Sequence, residues 1–231
     1  MERVKKIVVM AKQVPDTRNV GKDAMTPEGT VNRAALAAIF NPEDLNALEM
    51  ALEIKERVAG SEVYVLTMGP QRASDVIREA MFRGADGGYL LSGKEFAGSD
   101  TLATSYALSL ALRKIEPDII VAGRQAIDGD TAQVGPQVAE KLDLPQITYA
   151  EELVDINDTE ITIKRRLERG SEVVVSPLPA LITVNSSAKE CRPRNAKRVM
   201  KYKRALATSE MANVDAQWNA FIEERPYLHI V

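Results

Sequence analysis

Four short apolar runs, separated by helix-forming stretches, constrain this chain more than any other feature of its sequence. Lys6-Ile7-Val8-Val9-Met10-Ala11 opens the series, and Glu62 to Met68, Tyr89-Leu90-Leu91 and Asp118-Ile119-Ile120-Val121-Ala122 continue it. Runs this short and this apolar suit strands covered on both faces. Between the first two, Asn41-Pro42-Glu43-Asp44 reads as a helix start. Asn41 is a capping residue, Pro42 fits the first helical position, and the two acids favour the positive helix end. Leu45, Leu48, Ala51, Leu52 and Lys55 follow at helical spacing, up to a stop at Gly60. Val76, Ile77, Ala80 and Met81 mark a second helix that ends near Gly84. Ser99-Asp100-Thr101 caps a third, which carries Leu102, Tyr106, Leu110 and Leu112. A β-α-β-α-β-α-β order implies an α/β fold, an open parallel sheet with helices on both faces and right-handed crossovers.

After about residue 145 the pattern changes. Glu160 to Arg165 alternates as a strand, Arg169-Gly170 supplies a turn, and Glu172 to Val175 answers it. Together they predict a β-hairpin over about 159–176. Pro179 to Val184 is one more apolar strand, able to rejoin the main sheet. Beyond Asn185 the periodic core signal fades into a basic, Pro-containing arm, then a tail from about Thr208 with Trp218, Phe221 and Tyr227 as its anchors. Such a tail more often wraps a neighbour than builds a core of its own. The expected division is an α/β domain over 1–185 and a partner-contacting arm over 186–231.

Composition narrows the chemistry. Lys+Arg 30 against Asp+Glu 33 leaves a formal charge of -3, which argues against a general nucleic-acid binder. The one cysteine, Cys191, and the one histidine, His229, leave no material for a disulfide framework, a Cys/His metal site or Ser-His-Asp catalysis. Cys191 reads as a packing residue and His229 as a surface one. Little precedes the first apolar run, and no apolar stretch reaches membrane-spanning length, so a cytoplasmic protein without membrane insertion is expected. Arg192, Arg194, Lys197, Arg198, Lys201, Lys203 and Arg204 crowd one segment with only Tyr202 among them. That favours a solvated face or an acidic partner over nucleic acid.

In open α/β sheets ligands bind outside the carboxyl ends of the strands, where helix N-termini offer free N–H groups. The fourth strand runs directly into Gly123-Arg124-Gln125-Ala126-Ile127-Asp128-Gly129-Asp130-Thr131-Ala132-Gln133-Val134. Its two glycines permit close approach or positive φ. Asp130 or Thr131 is placed to cap the next helix, Arg124 to add charge, and Asp128 to accept a ribose hydroxyl. Gly135-Pro136 delays or kinks that helix. The loop is equally consistent with a plain strand-to-helix connection and with a phosphate site. Met10-Ala11-Lys12-Gln13-Val14-Pro15-Asp16-Thr17 and Met68-Gly69-Pro70-Gln71 reach the same edge, and three such loops make a nucleotide-sized trough. Met10 and Met68 serve equally as core fillers. The near-match to a phosphate loop at Gly88 to Lys94 fails, because Glu95 replaces the Ser or Thr that holds magnesium and no helix follows at once. Neither G-x-G-x-x-G after the first strand nor G-x-S-x-G is present.

The run from Gly123 to Pro136 resembles the nucleotide-binding signature of electron-transfer flavoprotein β subunits. Lys12-Gln13-Val14-Pro15-Asp16, Asn41-Pro42, Met68-Gly69-Pro70, Arg83-Gly84-Ala85-Asp86 and Leu178 to Thr183 extend the resemblance, in order, over about residues 4 to 204. It implies an adenine-nucleotide α-hydrolase-like domain in a heterodimer, whose α subunit mainly holds a redox-active FAD. It also implies a β site taken by AMP in simple carriers, and by a second FAD fed by NAD(H) in electron-bifurcating members. The resemblance assigns ligand contacts to Met10, Ala11, Lys12, Asp16, Asn41, Pro42, Met68 and Gly123 to Val134. It turns Arg166 toward the partner flavin and places Ala188, Lys189 and Glu190 in the partner-recognition loop, where members usually carry a bulkier anchor than alanine. A flavin-dependent, acyl-CoA-type dehydrogenase is the implied electron partner. Val14-Pro15-Asp16-Thr17 looks more like the bifurcating branch, hence FAD, although Pro15 also suits a simple turn. A stand-alone adenine-nucleotide sensor is the alternative of another class. In either case the residues position and tune a ligand, and no catalytic residue is expected.

Overall fold

The computed structural model describes residues 5–16 and 37–231. Thr17, the end of the Val14–Thr17 motif, lies outside the described residues. The first strand β1 (Lys6–Met10) leads through a short ladder of β2 (Gln13–Pro15) and β3 (Ala38–Phe40) into α1 (Pro42–Arg57). Then come β4 (Glu62–Met68), α2 (Ser74–Arg83), β5 (Gly87–Leu91), α3 (Thr101–Ile115), β6 (Ile119–Gly123) and α4 (Val134–Leu142). The second half supplies β7 (Gln146–Ile156), β8 (Glu160–Leu167), β9 (Gly170–Pro177) and β10 (Ala180–Val184). It ends with α5 (Ala196–Tyr202), β11 (Leu206–Ala207), α6 (Thr208–Met211), α7 (Ala216–Glu223) and β12 (His229–Ile230).

One sheet of eight strands, ordered β5-β4-β1-β6-β10-β7-β8-β9, organises the chain. The first six run parallel, and β8 and β9 are antiparallel to their neighbours. The α/β reading therefore holds. The hairpin expected over 159–176 is β8 and β9, joined to the parallel sheet through the eleven-residue β7. The strand from Ala180 does rejoin the sheet, between β6 and β7.

Burial explains the two layers of helices. Ile7, Val9, Val63, Val65, Val121 and Ile182 face α1 and α2, packing on Leu48, Leu52, Ile54 and Ile77. Val8, Leu66, Ile120 and Leu181 face the opposite way, toward Leu108 and Leu112 of α3 and Val138 of α4. Each such side chain contributes about 1.5–3 kcal/mol on burial. Successive residues of one strand serve both layers, so every central strand reads as a continuous apolar run.

The arm differs from its sequence reading. Tyr202, Ala207, Ile222, Leu228 and Ile230 join the main core, so residues after about 196 complete this chain's own packing. The Val231 carbonyl accepts from Leu90 N–H at 2.6 Å and its N–H donates to Gly88 at 3.1 Å, along the outer side of β5. At the other end of the sheet, β9 leaves Val173 and Val175 exposed. Arg78 ties the arm down: its guanidinium donates to the Ala205 carbonyl (2.9 Å), to both Glu210 oxygens (2.8 and 3.0 Å) and to Ser74 Oγ (2.7 Å). Arg78→Ala leaves the Ala205 carbonyl without this donor and the Glu210 carboxylate without its cation, with only Ser74 Oγ and Ala207 N–H still donating to it. It is expected to release the arm by about 2 kcal/mol, roughly thirtyfold. Limited proteolysis at Lys203–Arg204 checks this, and an unchanged cleavage rate would contradict it.

The basic run is largely spent inside the chain. Arg192 pairs with Glu49 (2.9 Å) and Glu56, and Arg194 with Glu79 (2.8 Å). Lys201 lies over the Tyr202 and Tyr227 rings, and Arg204 over Trp218. Cys191 is half-buried with its thiol pushed up to about 11 by burial, as suits a packing residue. His229 is exposed and bonded to Thr208 Oγ1.

Candidate functional site

The chain leaves β1 for β4 and β5 on one side, then returns through α3 to β6 on the other. This reversal opens a crevice above the carboxyl ends of β1, β4 and β6, where open α/β sheets bind ligands. A cavity of about 480 Å³ occupies it. Its floor includes Met10, Leu66, Leu108 and Ala122, and its walls come from residues 11–15, 68–73, 96–104 and the loop after β6.

The first turn of α1 shapes that loop from behind. Asn41 Nδ2 donates to the Gln125 carbonyl (2.9 Å), while its Oδ1 accepts from Ile127 N–H (3.1 Å). Glu43 accepts from the Arg124 guanidinium (2.8 Å) and from Gln125 N–H (3.2 Å). Asp44 accepts from Gly123 N–H (3.1 Å) and, across the crevice floor, from Lys12 N–H (2.8 Å). The acids sit where the helix dipole favours negative charge. Burial pushes the Asp44 carboxyl up to about 7, against the bonds it accepts, and Arg124 is held above its ordinary value chiefly by its bond to Glu43.

Two capping expectations are corrected here. Asn41 makes no side-chain cap on α1, because both ends of its amide are engaged by the loop. Neither Asp130 nor Thr131 caps α4, which starts late, at Val134, with no side-chain cap. Asp130 instead has φ 48° and accepts from Gln125 Nε2 at 2.7 Å, and Ala132 has φ 51°. Left-handed backbone at an alanine costs about 1 kcal/mol and persists where the surroundings impose it. The third helix is capped as expected, by Asp100 accepting from Ala103 N–H at 2.8 Å.

Of the residues expected at the ligand, Met10, Ala11, Lys12, Met68, Gly123, Arg124, Gln125, Ala126, Asp128, Gly129, Asp130, Thr131, Ala132 and Val134 line the cavity. Lys12 pairs with Asp128 at 2.8 Å across its mouth. Asp16, Asn41, Pro42, Ile127 and Gln133 do not line it. Asn41 and Ile127 hold each other, Pro42 is the first residue of α1, and Gln133 Oε1 accepts from Thr101 Oγ1 at 3.0 Å. Arg166, Ala188, Lys189 and Glu190 lie elsewhere. Arg166 is exposed on β8, 3.6 Å from Glu151. Ala188 is buried against the chain's own core, Lys189 pairs with Glu53 at 2.7 Å, and Glu190 is exposed.

Sequence reasoning missed Asp44 as a loop ligand and the wall formed by Phe96, Gly98, Ser99, Asp100, Thr101 and Thr104. The capping run at Ser99–Thr101 was the available signal. It also missed Arg72, an exposed lining cation with no ion pair among the described residues. A side-chain carbon added at Gly98 or Gly129 would meet nothing within 4 Å, so both face free space. Together with the late, uncapped start of α4, this arrangement fits a phosphate-bearing nucleotide approaching the backbone closely.

The model of the electron transfer flavoprotein domain matches residues 28–212. The electron transfer flavoprotein subunit beta of Megasphaera elsdenii is 45% identical over 217 residues, covering 91% of this chain and 78% of that one. The chain belongs to the electron transfer flavoprotein β-subunit family. Two other relatives carry names that speak of complexes. The acryloyl-CoA reductase electron transfer subunit gamma of Anaerotignum propionicum is 50% identical over 181 residues, 77% of this chain and 66% of that protein. The caffeyl-CoA reductase-Etf complex subunit CarD of Acetobacterium woodii is 49% identical over 179 residues, 77% of this chain and 67% of that protein. The β-subunit family chain thus spans about two thirds of the length of these two. No helix among its described residues is long and apolar enough to cross a membrane.

Proposed function

We propose that this chain is the nucleotide-holding half of a two-subunit electron carrier, with FAD in its crevice and a second FAD held mainly by an electron transfer flavoprotein α subunit. The observation that carries this reading is the crevice at the strand-order reversal, walled by the β6 loop on one side and the start of α3 on the other. Gly98 and Gly129 open both walls to free space, and the cavity extends past the loop toward Pro15, Arg72 and Phe96. That reach supports a dinucleotide over AMP. When bound, FAD supplies hydride and one-electron chemistry.

The chain's own residues bind and tune. Met10, Leu66, Leu108 and Ala122 give an apolar floor, while Arg124 and Arg72 offer positive charge to phosphates and Asp128 an acceptor to a ribose hydroxyl. No residue here is assigned acid–base work. The names of the acryloyl-CoA and caffeyl-CoA reductase relatives support an enzyme acting on acyl-CoA-type compounds as electron partner; in this reading it is a flavin-dependent dehydrogenase and NAD(H) is the donor. The exposed Arg166, Lys189 and Glu190 then face the partner subunit, and the buried Ala188 supports their loop from within.

Counting cofactors tests the proposal. The chain is co-purified with an α-type subunit, and FAD and AMP are released and quantified. Two FAD and no AMP per heterodimer is the expected result. One FAD with one AMP would make it a one-flavin carrier, and neither ligand with no partner retained would sink the assignment.

A further inference from the structure

Three acids line the crevice without an ion pair among the described residues, and of these Asp44 is buried while Asp100 and Asp130 are exposed. Lys12, which arrives from the end of β1, is paired with Asp128 from the β6 loop. Arg124, from the same loop, is paired with Glu43, which adds a like charge beside Asp44 on α1. The Asp44 carboxylate is met by neutral N–H donors, from the Lys12 and Gly123 backbone and the Asn41 side chain; it is 6% exposed and lines the cavity.

We propose that Asp44 is a proton-linked latch, so that binding of an anionic, phosphate-bearing ligand in the crevice is coupled to uptake of up to one proton by its carboxylate. The proton comes from solvent. It neutralises the acid, leaves both oxygens able to accept their backbone N–H groups, and adds one O–H donor at the crevice for an anionic ligand oxygen. In the empty crevice the acid is already balanced between its two forms, its pKa standing at about 7 through burial. A second negative charge close by tips it to neutral. The inference rests on the nucleotide-site reading above.

Calorimetric titration of FAD into the ligand-free full chain, in buffers of different ionisation heat, reads the coupling directly. FAD is the probe because, unlike the phosphate of AMP, its pyrophosphate has no group titrating near neutrality. At about pH 7.5 the heats are expected to report uptake of roughly half a proton or more, fading toward zero near pH 5.5, where Asp44 is protonated beforehand. Asp44→Asn is expected to show no proton uptake with whatever affinity for FAD it retains. Buffer-independent heats for the parent chain at about pH 7.5 would overturn the latch while leaving the site intact. Undiminished uptake in the variant would also overturn it. No FAD binding at all would remove the site and the latch together. The pH profile of the parent chain decides the matter even where the variant fails to fold.

Discussion

Gly123→Ala is expected to cost about 3 kcal/mol of stability or more and to abolish nucleotide binding. The reason lies in contact, since this glycine has no left-handed backbone. An added Cβ would stand 2.4 Å from Asp44 Oδ1, 2.8 Å from Asp44 N and 2.8 Å from the Glu43 carbonyl carbon. Two of those atoms are backbone of the first turn of α1, which cannot give way without moving a helix packed on β1, β6 and β10. The strand end must then retreat, the Gly123 N–H to Asp44 bond is lost, and the loop it starts loses its register. Urea denaturation and FAD binding measure the two effects. Gly129→Ala is the internal control: its Cβ enters free space, so stability should move by less than about 0.5 kcal/mol while affinity falls. Equal destabilisation by the two changes would refute the contact argument.

The second large effect is a loss of stability with rising pH. Asp44 is raised from 3.8 to about 7, with burial as the first cause. A carboxyl raised in the folded state contributes its stability fully below the unfolded value and loses it as pH climbs through the folded one. At about 1.4 kcal/mol per pH unit, the loss between pH 4 and pH 8 is capped near about 4 kcal/mol. Glu49 and Glu210 run the other way. Burial raises both, but hydrogen bonds from Arg192 and Arg78 outweigh it and hold them below 4.5. Their contribution is present above 4.5 and disappears only on acidification below it. The urea midpoint is therefore expected to fall between about pH 5.5 and 8, and Asp44→Asn to flatten that slope. A midpoint constant across this interval would show that Asp44 ionises at its ordinary value.

Most of the parallel core was legible because strands buried on both faces advertise themselves as apolar runs. What escaped notice had misleading periodicity. In β7 the buried residues are Ile147, Ala150 and Leu153, three apart as on a helix. Register shifts against β8 and β10, and left-handed Tyr149 (φ 57°), break the alternation a strand would otherwise show. The arm was read as coreless since its buried residues are scattered, and it meets the core through tertiary contacts of α5 with α2 and of β12 with β5. At the site, the loop after β6 announced itself through its strand-to-helix position and its glycines. The side chains that template it sit 79 to 86 residues earlier in the chain, on a turn whose acids and asparagine read just as well as helix-start chemistry.

The unequal treatment of the two ends of the sheet has a consequence for assembly. Val231 occupies the backbone of Gly88 and Leu90 on β5, and among the described residues no strand pairs with the outer side of β9. A strand added there, from a partner or from a second copy, would extend the sheet at that end. Pairing of two copies through β9 alone would close at two, where a sheet open at both ends would leave an edge for further copies.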